Sequence, residues 1–553
     1  MSFLNQAQPS GNPVSQMESL VGQTKNKAGG FSYEVDDFTR LLRFLILGAE
    51  GGTYYSSEKE LKRENVQSID RLIMTDQGEK VVDFIRDVSV NGRACKQNTT
   101  IYALSVCARS NDLKTKNAAY RALSDVCRIP THLFEFVKYC ENESAGSGWG
   151  RAHRVAIGKW YNSYKDKPKK LAYHVTKYQS RHSWNHKDVL RLAHIKPETN
   201  AIGKVIKYIV KGLNEAKTDP VPMADNGNVQ EVLDFLEGVE KAKKCPRQEI
   251  ESMKELIALH ELAREHVPTT MLDSVEIWSV LFRQMPMTAM IRNLGKMSSL
   301  QMFQSDNEEG KFREDLVIEK LGSETILKNA KIHPFTIMTA WYQYQAGRGD
   351  KGKLSWPVND RIVNALEGAF YKAFEFVEPT NKRYLLAVDV SGSMTAPVHG
   401  SSHITCRDAS AAMMLLTAKT EKACDVLAFS ENFTKLDVSA TDTMKSVIYK
   451  CSSLPFQRTD CSLPMQYACK NKKQYDVFVV YTDSETFFGN MHPSKALEEY
   501  RKYSGILDSR LIVCGMATNG FSIADPSDKF MMDVVGFDTN APKAMASFVK
   551  GEL

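Results

Sequence analysis

Long apolar runs are missing from this chain. Nowhere does it reach the ~18 consecutive apolar residues that a membrane-spanning helix needs, and its N-terminus lacks a basic stretch leading into an apolar one. An intracellular protein with no membrane segment is the expectation. Paired cysteines are missing too. The eleven cysteines are odd in number and scattered, without a C-x-x-C pair, and Cys461 and Cys469 are too far apart for a zinc knuckle. That pattern points to reduced thiols and excludes a disulfide or zinc framework. Hydrolase signatures are also absent, since there is no G-x-x-x-x-G-K-[S/T] loop and no G-x-S-x-G elbow. His260 and His266 point in well-separated directions around a helix and do not share a zinc readily. A hydrolase reading therefore fails on its motifs.

What is present is a chain of 553 residues with 42% hydrophobic and 25% charged residues, long enough for more than one buried core. Its most specific string runs from Tyr384 to Met394. An apolar stretch ends there in Asp389, Ser391 and Ser393, the D-x-S-x-S pattern of a metal-dependent adhesion site. A carboxylate and two hydroxyls, where a strand turns into a loop, can all face one hard cation. Oxygen-only ligands suit Mg²⁺, Mn²⁺ or Ca²⁺, with Mg²⁺ the first expectation. Two later loops supply further oxygens in the right order, Thr459 and Asp483. A plain Ser/Gly turn capping a helix would account for the first element but not for all three.

The surrounding segments alternate. Strands are expected at 384–390, 426–430, 476–482 and 510–516, and helices at 408–420 and 495–503. Apolar strands alternating with amphipathic helices imply a doubly wound α/β fold, a parallel sheet covered on both faces. Ligands bind such sheets beyond the carboxyl ends of the strands, where Asp389 and Asp483 both fall. From 381 to 553 the chain resembles a von Willebrand factor A domain. By that resemblance Ser391, Ser393 and Thr459 would contact the metal directly, while Asp389 and Asp483 would act mainly through water. Mostly neutral ligands leave the cation electrophilic, so an acidic group of a protein partner could complete its octahedron.

Residues 1–30, rich in Gly, Ser, Asn and Gln, read as a flexible tail. Asp37 can cap a helix that places Phe38, Leu41, Leu42 and Leu45 on one face and ends at Gly48. From 31 to 380 helix follows helix, as in Val229, Val232, Leu233, Leu236 and Val239. Helical pairs joined by short turns suggest an all-α solenoid without a strict sequence repeat.

Charge is uneven along that helical part. Between 150 and 217 sixteen Lys and Arg face four acidic residues, an excess of twelve in a chain whose total is +6. Trp160, Tyr161, Tyr164, Tyr173, Tyr178 and Trp184 are interleaved with them. Cations for phosphates beside rings for unpaired bases are what single-stranded RNA requires. A solvated basic face with aromatic core anchors is the bland alternative. The glycine loop 146–150 reads as a helix-to-helix turn rather than a phosphate cradle.

Several strings make the likeness specific: Ala49-Glu-Gly-Gly-Thr-Tyr-Tyr55, Val126-Cys-Arg-Ile-Pro-Thr-His-Leu-Phe134, Trp184-Asn-His-Lys-Asp-Val-Leu-Arg-Leu-Ala-His194 and Arg292-Asn-Leu-Gly-Lys-Met297. In this order, ahead of the metal-site domain, they resemble the Ro ribonucleoprotein family over 31–553. The resemblance implies a ring of HEAT-like helical repeats, the TROVE module, closed by the A domain. It implies a monomer that binds Y RNAs on an outer basic surface and takes single-stranded 3′ ends of misfolded noncoding RNAs, such as 5S rRNA precursors, through a central hole. Lys177, Arg181 and His194 fall where the family's RNA-binding surface lies. Lys177 and Arg181, four apart, would share a helical face; Arg128 and Arg151 are further candidates. Gln457 and Arg458 stand where the family commonly has two glycines, a bulkier pair that would narrow access to the metal. The competing reading is a metal-dependent adhesion or scaffold module whose helical part binds protein.

Overall fold

The computed structural model describes residues 14–553 apart from 145, 147, 219–225, 305, 350–352, 375, 376 and 456. Order begins well before Phe31. Strand β1 (Gln23–Lys25) pairs antiparallel with β2 (Phe31–Glu34), which pairs in turn with a short strand at Phe521–Ser522. The expected tail is therefore structured from residue 14, while 1–13 lie outside the described residues. Its polar composition is what anchors it. Gln16, fully buried, donates to Asp460 Oδ1 at 2.7 Å, and Asn26 donates to the Thr486 carbonyl at 2.6 Å. Such amides read as disorder in sequence, yet here they satisfy loops of the other module, as buried polar groups must.

Helices then run from Asp37–Leu47 to Asp360–Lys372. The first is capped by Asp36, one residue earlier than expected, whose carboxylate accepts from the Phe38 and Thr39 N–H groups. Gly48, at φ 67°, ends it. The Gln97–Arg109 helix buries ten of its thirteen residues, as a helix inside a stacked array does. One interruption matters for function: β3 (Ser180–Arg181) and β4 (Trp184–Asn185) form a small antiparallel hairpin. His182 and Ser183, at φ 50° and 66°, make its two-residue turn.

The A domain holds a six-stranded sheet of β5 (Arg383–Asp389), β6 (Ala423–Phe429), β7 (Phe433–Lys435), β8 (Val477–Thr482), β9 (Arg510–Gly515) and β11 (Met531–Val535); the Phe521–Ser522 strand is β10. Strand order is β11-β9-β8-β5-β6-β7, parallel throughout except for β7. Residues of β5 alternate between two cores, Leu386 and Val388 on one face and Leu385 and Ala387 on the other. This is the doubly wound sheet expected from sequence.

Both ends of the helical array rest on this domain. Arg43 of the first helix reaches Asp533 on β11 at 2.7 Å, and the Ile46 carbonyl lies 3.0 Å from His399 Nε2. From the far end, the Phe335 ring packs between His399 and Phe537, with centroids 5.1 and 5.7 Å away. Lys331 bonds the Val90 carbonyl, joining the two ends of the array directly. The helices thus close back on themselves and on the A domain.

Candidate metal centre and nucleic-acid interface

Asp389, Ser391, Ser393, Thr459 and Asp483 are all buried beyond the carboxyl ends of β5, β6 and β8. Their three loops are tied together. The Gly392 N–H donates to the Gln457 carbonyl (3.3 Å), the Asp460 N–H to the Ser430 carbonyl (2.9 Å), and the Phe488 N–H to the Thr459 carbonyl (3.0 Å). Asp389 accepts from the Ser391 N–H at 2.9 Å and from the Thr482 hydroxyl at 2.6 Å, which aims its carboxylate. Ser391 Oγ and Ser393 Oγ are 3.2 Å apart. Adjacent ligands on an octahedral Mg²⁺, at 2.0–2.1 Å from the metal, are separated by about 3.0 Å.

Electrostatics agree with that donor set. Burial, then the neighbouring Asp389 and Glu485 carboxylates, push the Asp483 carboxyl up to about 8. Burial likewise raises Asp389. Buried acids that destabilise one another's charge favour a cation among them. Among the described residues no group of three or more His, Cys, Asp or Glu could hold a metal ion, so a site here depends on the hydroxyls. The residues present fit a small hard cation. Gln457 and Arg458 have partners of their own: Gln457 accepts from the Ser430 hydroxyl (3.0 Å), while Arg458 pairs with Glu431 (2.8 Å) and lies 3.9 Å over the Phe488 ring.

Sequence reasoning missed what covers the site. Residues 47–50, 52 and 53 of the helical module, with 396–399 and 516–518, line a narrow pocket of only about 20 Å³ beside Ser393 and Asp483. That is room for about one water molecule. Thr53 Oγ1 and His399 Nδ1, on its walls, are buried without a hydrogen-bond partner. Tyr55 belongs to the same cover; burial, then Asp483, Glu485 and Asp389, raise its phenol. The string from Ala49 to Tyr55 was legible as a likeness, but nothing in its residue types announced a contact 340 residues away.

The predicted RNA contacts are dispersed differently than the spacing implied. The helix Pro168–Lys177 ends at Lys177, and Arg181 lies on β3, so the two do not share a helical face. Tyr178 leaves helical geometry at ψ 74°, and the hairpin redirects the chain. The Lys177 ammonium is largely covered, 3.8 Å from Glu265 and 5.3 Å from the centroids of both Tyr173 and Tyr178. Arg181 is exposed at the hairpin, where it and His182 each lie 3.6 Å from the buried Glu135. Arg128 is half-buried: its Nη1 bonds Ser89 Oγ (3.1 Å) and the Asp125 carbonyl (2.9 Å), and burial lowers its pKa. Arg151 opens the Arg151–Asn162 helix, exposed. His194, also exposed, caps the His186–Ala193 helix in left-handed geometry.

Aromatic residues divide in the same way. Trp160 and Tyr161 are core, and His153 and His186 are buried and held neutral, each pushed down to about 3 by burial. Trp184, half-buried, packs 5.8 Å from Trp149 and thereby joins the hairpin to the loop before Arg151. Lys138, His182, Ser183, Trp184, Asp188 and Arg191 line an open groove of about 790 Å³. Lys138 lies outside the basic run in sequence and is brought to it only by the fold.

A closed helical array with a cationic hairpin on its surface, docked on an A-type α/β domain, defines a two-module binding protein of the helical-repeat and von Willebrand factor A class. Residues 24–343 match the TROVE domain and residues 383–549 the Ro60 vWA domain. The chain is 38% identical to RNA-binding protein RO60 of Caenorhabditis elegans, over 97% of this chain and 92% of that protein. It is 35% identical to RNA-binding protein RO60 of Deinococcus radiodurans, over 96% of each. The crystal structure of the Deinococcus radiodurans RO (RSR) protein superposes with a TM-score of 0.67 at 35% identity, covering 94% of this chain and all of that one. The chain belongs to the Ro60 family.

Proposed function

We propose that this protein binds RNA, on the surface formed by the β3–β4 hairpin and the helices beside it. One observation carries the reading: exposed Lys138, His182 and Arg191 line an open groove with the half-buried ring of Trp184, and exposed Arg181 stands opposite Trp184 on the hairpin. Cations at the rim neutralise phosphates, and a ring at the floor stacks an unpaired base. The relatives named RNA-binding protein RO60 support the same ligand class. The finer reading is a non-enzymatic role in RNA quality control, in cytoplasm and nucleus, with Y RNAs and single-stranded 3′ ends of misfolded noncoding RNAs such as 5S rRNA precursors as ligands.

At the other module, Ser391, Ser393 and Thr459 would hold Mg²⁺, with Asp389 and Asp483 acting through water. The cation would offset the buried carboxylates and stiffen three loops. The cover of residues 47–53 leaves space for about one water, less than an acidic side chain from a partner needs, which favours RNA binding over a metal-dependent adhesion role. Ultraviolet crosslinking of the protein in cells, followed by sequencing of attached RNA, tests the proposal. Recovery of noncoding RNAs with unpaired ends is expected; absence of RNA at moderate salt would sink it.

A further inference from the structure

A cavity of about 470 Å³ opens among the Pro168–Lys177 helix, the turn that follows Ile250–His260, and the start of the Met287–Ser299 helix. Apart from Lys177 and its neighbours Tyr173 and Glu265, none of its lining belongs to the sites described above. One wall is apolar and aromatic. The Tyr173 and Phe235 rings stand 6.2 Å apart there, beside Met285. The other wall carries four Lys and Arg side chains, and two of them are offset: Lys169 lies 3.9 Å from Glu261, and Lys177 3.8 Å from Glu265. Lys170 and Arg264 are exposed at the mouth, and among the described residues neither makes an ion pair. His174 adds an uncharged imidazole, since burial pushes it down to about 4. Gln284 and Asn293 add neutral amides.

These features describe a ligand with a flat ring, polar edges and an anionic group on one side. The volume lies in the range of small-molecule sites, roughly 300–1,000 Å³. A bare anion would make no use of the aromatic wall, and an apolar ligand would leave the two cations idle. Building on the RNA reading above, we infer that this cavity takes a single unstacked nucleotide, its base against Tyr173 and its phosphate between Lys170 and Arg264. The occupant is an unpaired residue of a bound RNA strand or a free nucleoside monophosphate, which share this chemistry. Tyr173, backed by the buried Phe235, supplies the stacking surface, and Lys177, held by Glu265, shapes the floor rather than meeting phosphate.

The full-length protein is irradiated with a single-stranded decamer carrying 4-thiouridine, and crosslinked peptides are identified by mass spectrometry. Affinity for the same strand is measured in parallel, and uridine monophosphate is titrated by equilibrium dialysis. Two variants are compared, K170E/R264E and Ala289→Trp; the second fills the cavity without altering its charge. Crosslinks are expected on the peptides holding Tyr173 or Met285, and each variant should cut their yield about tenfold, the scale of one lost stacking contact. Competition by the monophosphate would assign the cavity to free nucleotide, and its absence to the strand. If the strand binds with full affinity but crosslinks elsewhere, or both variants crosslink like wild type, this inference fails while RNA binding stands. If no strand binds but the monophosphate does, and the variants lose it, the cavity is upheld and the RNA reading fails.

Discussion

Arg43, on the first helix, and Asp533, on the β11 edge of the A domain, form an ion pair of 2.7 Å in which the arginine side chain is 1% exposed. The same guanidinium donates to the carbonyls of Asn519 (3.0 Å) and Phe521 (2.8 Å). One side chain thus stitches the start of the helical array to two segments of the other module. Removing one partner of a buried pair leaves the other charge unpaired, so Arg43→Ala should cost about 3–5 kcal/mol. Arg43→Lys should recover little of this, because an ammonium cannot reproduce the planar fork. Urea unfolding checks both. A loss below about 1 kcal/mol, the scale of a surface pair, would show that this contact does not hold the seam.

Metal binding is predicted to register as stability. A cation that binds only the folded state adds RT ln(1 + [L]/Kd), about 2.7 kcal/mol at a hundredfold excess over Kd. Mg²⁺ should therefore raise the melting temperature of the wild type. Asp389→Ala should abolish the rise and leave RNA affinity intact, since the hairpin lies in the other module. A melting shift that persists in the variant would place the cation elsewhere.

Much of this fold was legible because its signals are local. The run ending in Asp389, Ser391 and Ser393 marks a strand and its loop at once, and periodicity marks the helices. Where sequence reasoning failed, the cause was tertiary. Gln16 and Asn26 looked like a mobile tail because nothing nearby in sequence shows what they bond. Lys177 and Arg181 were assigned to one helix because spacing alone does not reveal that the chain turns into a hairpin after Tyr178. Trp160 and Tyr161 share a segment with Trp184, yet only Trp184 reaches the groove, since burial depends on helices far along the chain.

Acid should loosen the junction of the two modules. His399 and His333 are both buried there, and burial pushes them down to about 3 and about 4. Their folded values lie below the unfolded value of about 6.5, so the unfolded chain binds more protons in between. Stability is therefore whole above about pH 6.5 and falls as pH drops toward the folded values, by up to about 1.4 kcal/mol per pH unit for each histidine. Denaturant midpoints between pH 7.5 and 4.5 measure the slope. It should be shallower in a His399→Gln/His333→Asn protein; equal slopes would assign the acid sensitivity to other groups.

Salt dependence should separate the two cations that sequence had grouped. Each phosphate neutralised by the protein contributes about one unit to the slope of log affinity against log salt. Arg181, exposed on the hairpin, should lower that slope by about 1 when replaced by alanine. Each has a carboxylate nearby, but the Lys177 side chain is only 11% exposed against 55% for Arg181, so Lys177→Ala should leave the slope unchanged. A larger change for Lys177 than for Arg181 would reverse their roles.

Selection of RNA by its unpaired end is the sharpest test of the family-derived reading. The groove beside Trp184 presents a half-buried ring, and a base can reach that ring only if it is splayed from its neighbours. Exposed cations at the rim accept any phosphate backbone, so a duplex should still bind, but weakly and without stacking. One RNA hairpin is compared as a blunt stem, with a 3′ extension and with a matched 5′ extension, by gel shift at fixed salt. The 3′-extended form should bind most tightly, by about one stacked base or more, which is ~5–150-fold. Trp184→Ala should remove most of that advantage and leave blunt-stem affinity nearly unchanged. If the two extensions bind equally and better than the blunt stem, unpaired RNA is read without polarity. If all three forms bind alike, the basic surface recognises backbone alone and Trp184 serves only to pack against Trp149.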